Sequence, residues 1–112
     1  MATDLAQKKC VACEGTELPF VPEEAEALLK QVKEWQLSPD AKSISKQFTF
    51  ENFAEALAST SKVGAIAEEE GHHPDIELSW GKVRVSLTTH AIHGLSENDF
   101  ILAAKIDQIL KS

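Results

Sequence analysis

Eight residues, Glu68-Glu69-Glu70-Gly71-His72-His73-Pro74-Asp75, gather carboxylates, a glycine, two adjacent histidines and a proline. Imidazole titrates nearest neutral pH of all side chains, so it suits proton transfer or metal ligation. The punctuation sets the local structure. Gly71 can close a helix in the left-handed conformation, and Pro74 stops its continuation. The histidines are therefore expected on a rigid junction leaving a helix, exposed and held in place. Three acids at a helix C-terminus oppose the helix dipole. They ask for a positive neighbour, such as a protonated imidazole.

Adjacent residues of an extended segment point to opposite sides, so His72 and His73 are expected to do different jobs. His90 ends a strand of a hairpin that begins just after Pro74. The outer ends of that hairpin lie together, which can bring His72, His73 and His90 to one edge of the sheet. Asp99 starts the last helix near the same edge. This constellation predicts a histidine-centred acid/base site. A metal site is the competitor, since His90 and His93 have an H-x-x-H spacing. Chelation on a helix favours i, i+4, and adjacent histidines on a strand diverge, which weighs against it. Cys10 and Cys13 form a C-x-x-C pair. Zinc needs two more ligands and the chain has no second pair. Nothing before Cys10 reads as the strand that a redox motif needs, so the pair is expected to have no chemical role.

The elements that carry these residues follow from periodicity. Residues 1–18 are polar and irregular and read as a flexible arm; 19–112 read as one domain. Pro22 opens a helix whose apolar face is Ala25, Leu28, Leu29 and Val32. Trp35 and Leu37 make a short strand. After the turn Ser38-Pro39-Asp40, Ile44, Phe48 and Phe50 share a parity on a longer strand, with Lys46 as the exception. Asn52 caps the next helix with Glu55 as its return partner, and this helix runs to about Glu70. Its stripe reads Phe53, Leu57, Thr60, Gly64 and Ala67. Ile76, Leu78 and Trp80 alternate on the next strand, Gly81-Lys82 turns, and Val83, Val85, Leu87 and Thr89 alternate on its partner. Ser96 caps the last helix, with Asp99 in its first turn and Leu102, Ile106, Ile109 and Leu110 as its buried face. The predicted fold is α+β: a four-stranded antiparallel sheet covered on one face by helices, in the order α-β-β-α-β-β-α.

Composition closes off other classes. With 43% hydrophobic residues in 112, the chain can bury a core unaided. A net charge of −7 opposes any sequence-independent grip on nucleic acid. No apolar run is long enough to span a membrane, and Met1 to Lys9 lacks the layout of a signal peptide, so a cytoplasmic location is expected.

The run Glu-x-Gly-His-His-Pro at 68–74, then Trp80, Val83-x-Val85-x-Leu87, Thr89-His90, Gly94-Leu95 and Asp99, resembles pterin-4a-carbinolamine dehydratase, the 4a-hydroxytetrahydrobiopterin dehydratase family. Trp35, Phe48 and Phe53 fit upstream, so the resemblance spans about residues 20–110. The C-x-x-C arm looks like bacterial members. The resemblance implies a lyase that dehydrates a 4a-hydroxytetrahydropterin to the quinonoid dihydropterin. That reaction recycles the pterin of aromatic amino acid hydroxylases, with no metal or bound cofactor. By motif position, His72 and His90 resemble the acid/base histidines, and His73 the one that holds and orients the pterin. Asp99 resembles the acid that orients a site histidine, Glu68 an acid near the pterin, and Trp35 a ring lining the pocket. The resemblance also implies a homodimer or homotetramer, and a hydroxylase as partner. The alternative on the same fold is a non-catalytic regulatory or dimerisation protein.

Overall fold

The computed structural model describes residues 4–7, 10, 18–32 and 34–110. Their elements are α1 (Pro22–Leu29), β1 (Gln36–Leu37), β2 (Ile44–Thr49), α2 (Phe53–Glu70), β3 (Asp75–Ser79), β4 (Lys82–Leu87) and α3 (Glu97–Ile109), with 3-10 turns at Asp4–Gln7 and His90–Ile92. The strands pair antiparallel in the order β1-β2-β4-β3. The order of elements and the α+β class are those expected from the sequence.

Alternation fixes which face is covered. Val83, Val85 and Leu87 of β4 and Ile44 of β2 are fully buried. Gln47, Arg84 and Glu77, opposite one another on β2, β4 and β3, face water. Lys46 shares the inward parity of Ile44 and Phe48, and its exception has a physical resolution. Its ammonium reaches Asp107 of α3 at 2.8 Å and lies 4.8 Å from the centre of the Phe48 ring. A charge on the covered face is tolerable when it is paired.

α3 is the hub. Phe100, Leu102, Ala103 and Ile106 are all fully buried, and Asn98 to Ala104 are buried without a break. The expected stripe of Leu102, Ile106, Ile109 and Leu110 is thus only part of its buried surface; Ile109 remains 38% exposed. A helix buried all round needs a cover on the side away from the sheet. Part of that cover comes from the N-terminus. Leu5 is 2% exposed within the core, and the Cys10 amide donates to Glu70 Oε1 at 2.9 Å. Leu5 and Cys10, within the stretch expected to be a flexible arm, are thus in contact with the domain. Cys13 lies outside the described residues.

Three other expectations need correction. The buried face of α2 is Ala56, Ser59, Val63 and Ala67, whereas Phe53 and Leu57 stay 44% and 46% exposed. An alanine-rich helix carries two plausible stripes, and the smaller one lets α2 approach the sheet closely. The tight turn of the second hairpin is Trp80-Gly81, since Ser79 pairs with Lys82, and Trp80 is left 69% exposed. Finally, α1 stops at Leu29, although Val32 beyond it is buried. Among the described residues, no helix is long and apolar enough to cross a membrane.

Candidate active site

The end of α2 builds the first half of the site. Gly71 has φ 68°, a left-handed conformation that glycine adopts at little cost. Its amide donates to Glu68 O, and the His72 amide donates to Ala67 O, each at 3.2 Å. This is a Schellman closure. His72 is therefore part of the helix terminus itself, and its backbone has little freedom.

The second half is the start of α3. Asp99 is fully buried. Its Oδ1 accepts from His72 Nε2 at 2.6 Å. Its Oδ2 accepts from the Thr89 hydroxyl at 2.8 Å and from the Ser96 amide at 3.0 Å. The Ser96 contact is the return half of a capping box. A buried carboxylate needs such donors on both oxygens. An ionised Asp99 can only accept, so with a carboxylate here the contact calls for a hydrogen on His72 Nε2 and leaves Nδ1 as the ring's other nitrogen. The His72 ring is mostly buried, with 12% of its side chain exposed.

His73 turns the other way, as adjacent residues should. Its Nε2 pairs with Glu68 Oε1 at 2.8 Å, and both side chains are exposed. His90 does not end the strand as expected: β4 stops at Leu87, and His90 opens the 3-10 turn after Thr89, where it is exposed. Thr89 pairs with Gly94 across this turn. Gly94 is required there, because a Cβ would lie 2.5 Å from Pro19 Cβ. The chain path thus ties His90 to the same node as Asp99. His93 is exposed, has φ 54° and donates its amide to His90 O. Among the described residues, no group of three or more His, Cys, Asp or Glu is arranged to hold a metal ion.

The three acids at the end of α2 separate in role. Glu68 meets His73. Glu70 meets Lys105 of α3 at 3.7 Å and the Cys10 amide, so its positive neighbour is a lysine and not an imidazole. The Cys10 thiol donates to Asn98 O at 3.6 Å. Burial first, then the charge of Glu70, pushes its pKa up to about 12. Both causes favour the protonated thiol over the thiolate.

Trp35 lies elsewhere. It is buried, and its Nε1–H donates to both oxygens of Asp107 at 3.0 and 3.1 Å. Asp107 is eight residues after Asp99, about 12 Å further along α3. The contacts around His72 and Asp99 do not include Trp35. Thr89 was the residue not anticipated in the site. Its signal was a hydroxyl that continues the inward parity of Val83, Val85 and Leu87 two residues beyond the end of β4, where a buried polar group must find a partner.

A profile of the pterin 4 alpha carbinolamine dehydratase family matches residues 19–109. Among curated relatives, a protein from Methylococcus capsulatus is 50% identical over 108 residues, covering 96% of this chain and 95% of its own. One from Halorhodospira halophila is 49% identical, covering 94% and 96%. Both are provisionally named pterin-4-alpha-carbinolamine dehydratase. Among solved structures, a transcriptional coactivator/pterin dehydratase from Brucella melitensis superposes with a TM-score of 0.77 at 27% identity, covering 81% of this chain and 97% of its own. A pterin dehydratase-like protein identified as a RuBisCO assembly factor in the alpha-carboxysome superposes with a TM-score of 0.61 at 25% identity, covering 70% and 92%. With residues 19–109 matched by the profile and half the aligned residues shared with a relative covered over 95% of its length, the chain belongs to the pterin 4 alpha carbinolamine dehydratase family.

Proposed function

We propose that the protein is a hydro-lyase that dehydrates 4a-hydroxytetrahydrobiopterin to the quinonoid dihydropterin. The observation that carries this reading is the His72–Asp99 pair, a mostly buried imidazole fixed through Nε2 by a fully buried carboxylate. The reaction needs a proton delivered to the departing 4a-hydroxyl, which leaves as water, and a proton removed from a ring nitrogen. One acid and one base of near-neutral pKa supply both. His72, through Nδ1, takes one of these roles and His90 the other. The exposed His73–Glu68 pair holds the polar edge of the pterin. The resulting dihydropterin returns to an aromatic amino acid hydroxylase, and the protein works as a homodimer or homotetramer.

The RuBisCO assembly factor, which has a similar fold, gives specific support to a second reading, a non-catalytic protein that binds a partner. Stopped-flow measurement of carbinolamine dehydration with purified protein separates the two. Acceleration over the unaided reaction, lost in His72→Ala, supports the lyase. A rate equal to the unaided reaction sinks it.

A further inference from the structure

Thr89 stands out because every polar group it has is committed. Its side chain is buried, and the residue is 2% exposed. Its hydroxyl has one hydrogen, which goes to Asp99 Oδ2 at 2.8 Å. The 2.8 Å contact with Ser96 Oγ must then run the other way, with Ser96 donating. Its amide donates to Gly94 O at 2.8 Å, and its carbonyl accepts from Ile92 N at 3.2 Å. The first arm of this node leads through Asp99 to His72. The second closes the turn that begins with His90.

We propose that Thr89 is a positioning residue that couples the two site histidines: its hydroxyl locks the Asp99 carboxylate that orients His72, and its backbone sets the origin of His90. The inference rests on the lyase reading for its kinetic consequence, but its structural content stands apart from it. A carboxylate on a short side chain can rotate about its last bond. Two donors on Oδ2, one from each side chain and backbone, hold Oδ1 towards His72. Nε2 then keeps its hydrogen and Nδ1 stays available. Remove the hydroxyl and the Ser96 amide alone fixes Oδ2. The carboxylate can turn, and the imidazole can take its other tautomer. The β-branch of threonine also matters, because it leaves few rotamers for the hydroxyl to wander through.

The test uses the full chain with Thr89→Val, which keeps the shape and loses the hydroxyl, and Thr89→Ser, which keeps the hydroxyl. Two readouts are taken: steady-state dehydration, and the tautomer of His72 from the 15N shifts and long-range couplings of its ring. Wild type should show the Nε2–H tautomer. Thr89→Val should show a mixture, with kcat down about ten-fold and KM within about two-fold, since misplacing a reacting group acts on turnover. Thr89→Ser should restore the single tautomer and most of the turnover. A single Nε2–H tautomer in Thr89→Val overturns the proposal, as does a Thr89→Ser variant that is as impaired as Thr89→Val. If wild type shows no dehydration the lyase reading fails, while the tautomer comparison still decides the role of Thr89. Should Thr89→Val not fold, wild type decides: a hydroxyl proton held on a buried carboxylate exchanges slowly with water and gives a resolved resonance. Its absence overturns the proposal.

Discussion

The two ends of α3 carry acids wired in the same way, and only one of them makes a candidate for chemistry. Asp99, in the first turn, takes His72 on one oxygen and Thr89 with the Ser96 amide on the other. Asp107, near the last turn, takes the Trp35 indole on both oxygens and the Lys46 ammonium on one. Both acids are satisfied, and both tie α3 to the layer beneath it. The difference lies in the partner. An indole N–H and an ammonium are both donors only, with no acceptor form to offer near neutral pH. An imidazole held at one nitrogen still has another to offer. Burial separates them further: Asp99 is fully enclosed, whereas 23% of the Asp107 side chain meets water. The lesson is that a buried carboxylate network does not itself mark a site. What marks it is a network that ends on a group able to gain and lose a proton.

The comparison breaks most sharply if its chemical end can be removed without effect. His72→Ala should lower turnover by about two to four powers of ten, the scale of one general acid or base. The same loss is expected for His90→Ala, whereas His73→Ala should mainly raise KM. Dehydration kinetics on the three variants decide this. Wild-type turnover and affinity in all three would remove the Asp99 end from the reaction.

Asp99 itself separates structure from function. It is both the return acid of the α3 cap and the support of His72. Asp99→Glu keeps an acid that caps well, but its longer chain misplaces the imidazole. We expect it to cost less stability than Asp99→Ala, because it keeps an acceptor for the cap although the buried site must make room for one more methylene, and to cost a clear part of the turnover. Asp99→Ala should cost both. Full activity in Asp99→Glu would leave Asp99 with the capping role alone. At the other end, Asp107→Ala should strand a mostly buried ammonium and an indole N–H. That costs about 1–3 kcal/mol, seen in urea unfolding, with turnover within about two-fold of wild type. If Asp107→Ala lost as much activity as Asp99→Ala, the two ends would not differ, and Trp35 would belong with the site after all.

Much of this arrangement is legible in the sequence. Gly71 and Pro74 marked the junction, the alternation of Val83, Val85 and Leu87 marked the central strand, and the divergence of His72 from His73 followed from chain geometry. What was not legible depended on contacts between residues distant in sequence. Thr89 could be seen to face inward, but only the approach of α3 supplies its acceptor. Lys46 looked like an error of parity until Asp107 and Phe48 closed around it. Trp35 could be matched to a motif, but its partner, 72 positions away, puts the ring at the far end of α3. The stripe of α2 failed for a different reason. Alanine gives a periodic pattern no preferred side, so the packing distance to the sheet decides which face is buried.

The smallest effect expected concerns the cover over the Asp99 end. Cys10 bridges the two elements of the site, through its amide to Glu70 of α2 and its thiol to Asn98 of α3. Neither contact touches the reacting groups, so Cys10→Ser should leave turnover within about two-fold. The thiol nevertheless reports on the docking. Its pKa is raised from 9.0 to about 12 in the folded state. The protonated thiol is thus the form the fold favours. Its contribution is fully present below about pH 9 and is lost as pH rises from there towards 12, where the unfolded thiol ionises first. Stability measured by urea unfolding should fall over that window, and Cys10→Ala should flatten the fall. In a Cys13→Ser background, so that one thiol is read, a disulfide reagent at pH 8 should modify Cys10 at least about 100-fold more slowly in the native protein than in urea, because the thiolate is the attacking species. Leu5→Asp should undock the segment and speed native labelling without moving turnover by more than about two-fold. Fast labelling in the unaltered chain would mean that the segment does not cover the Asp99 end in solution.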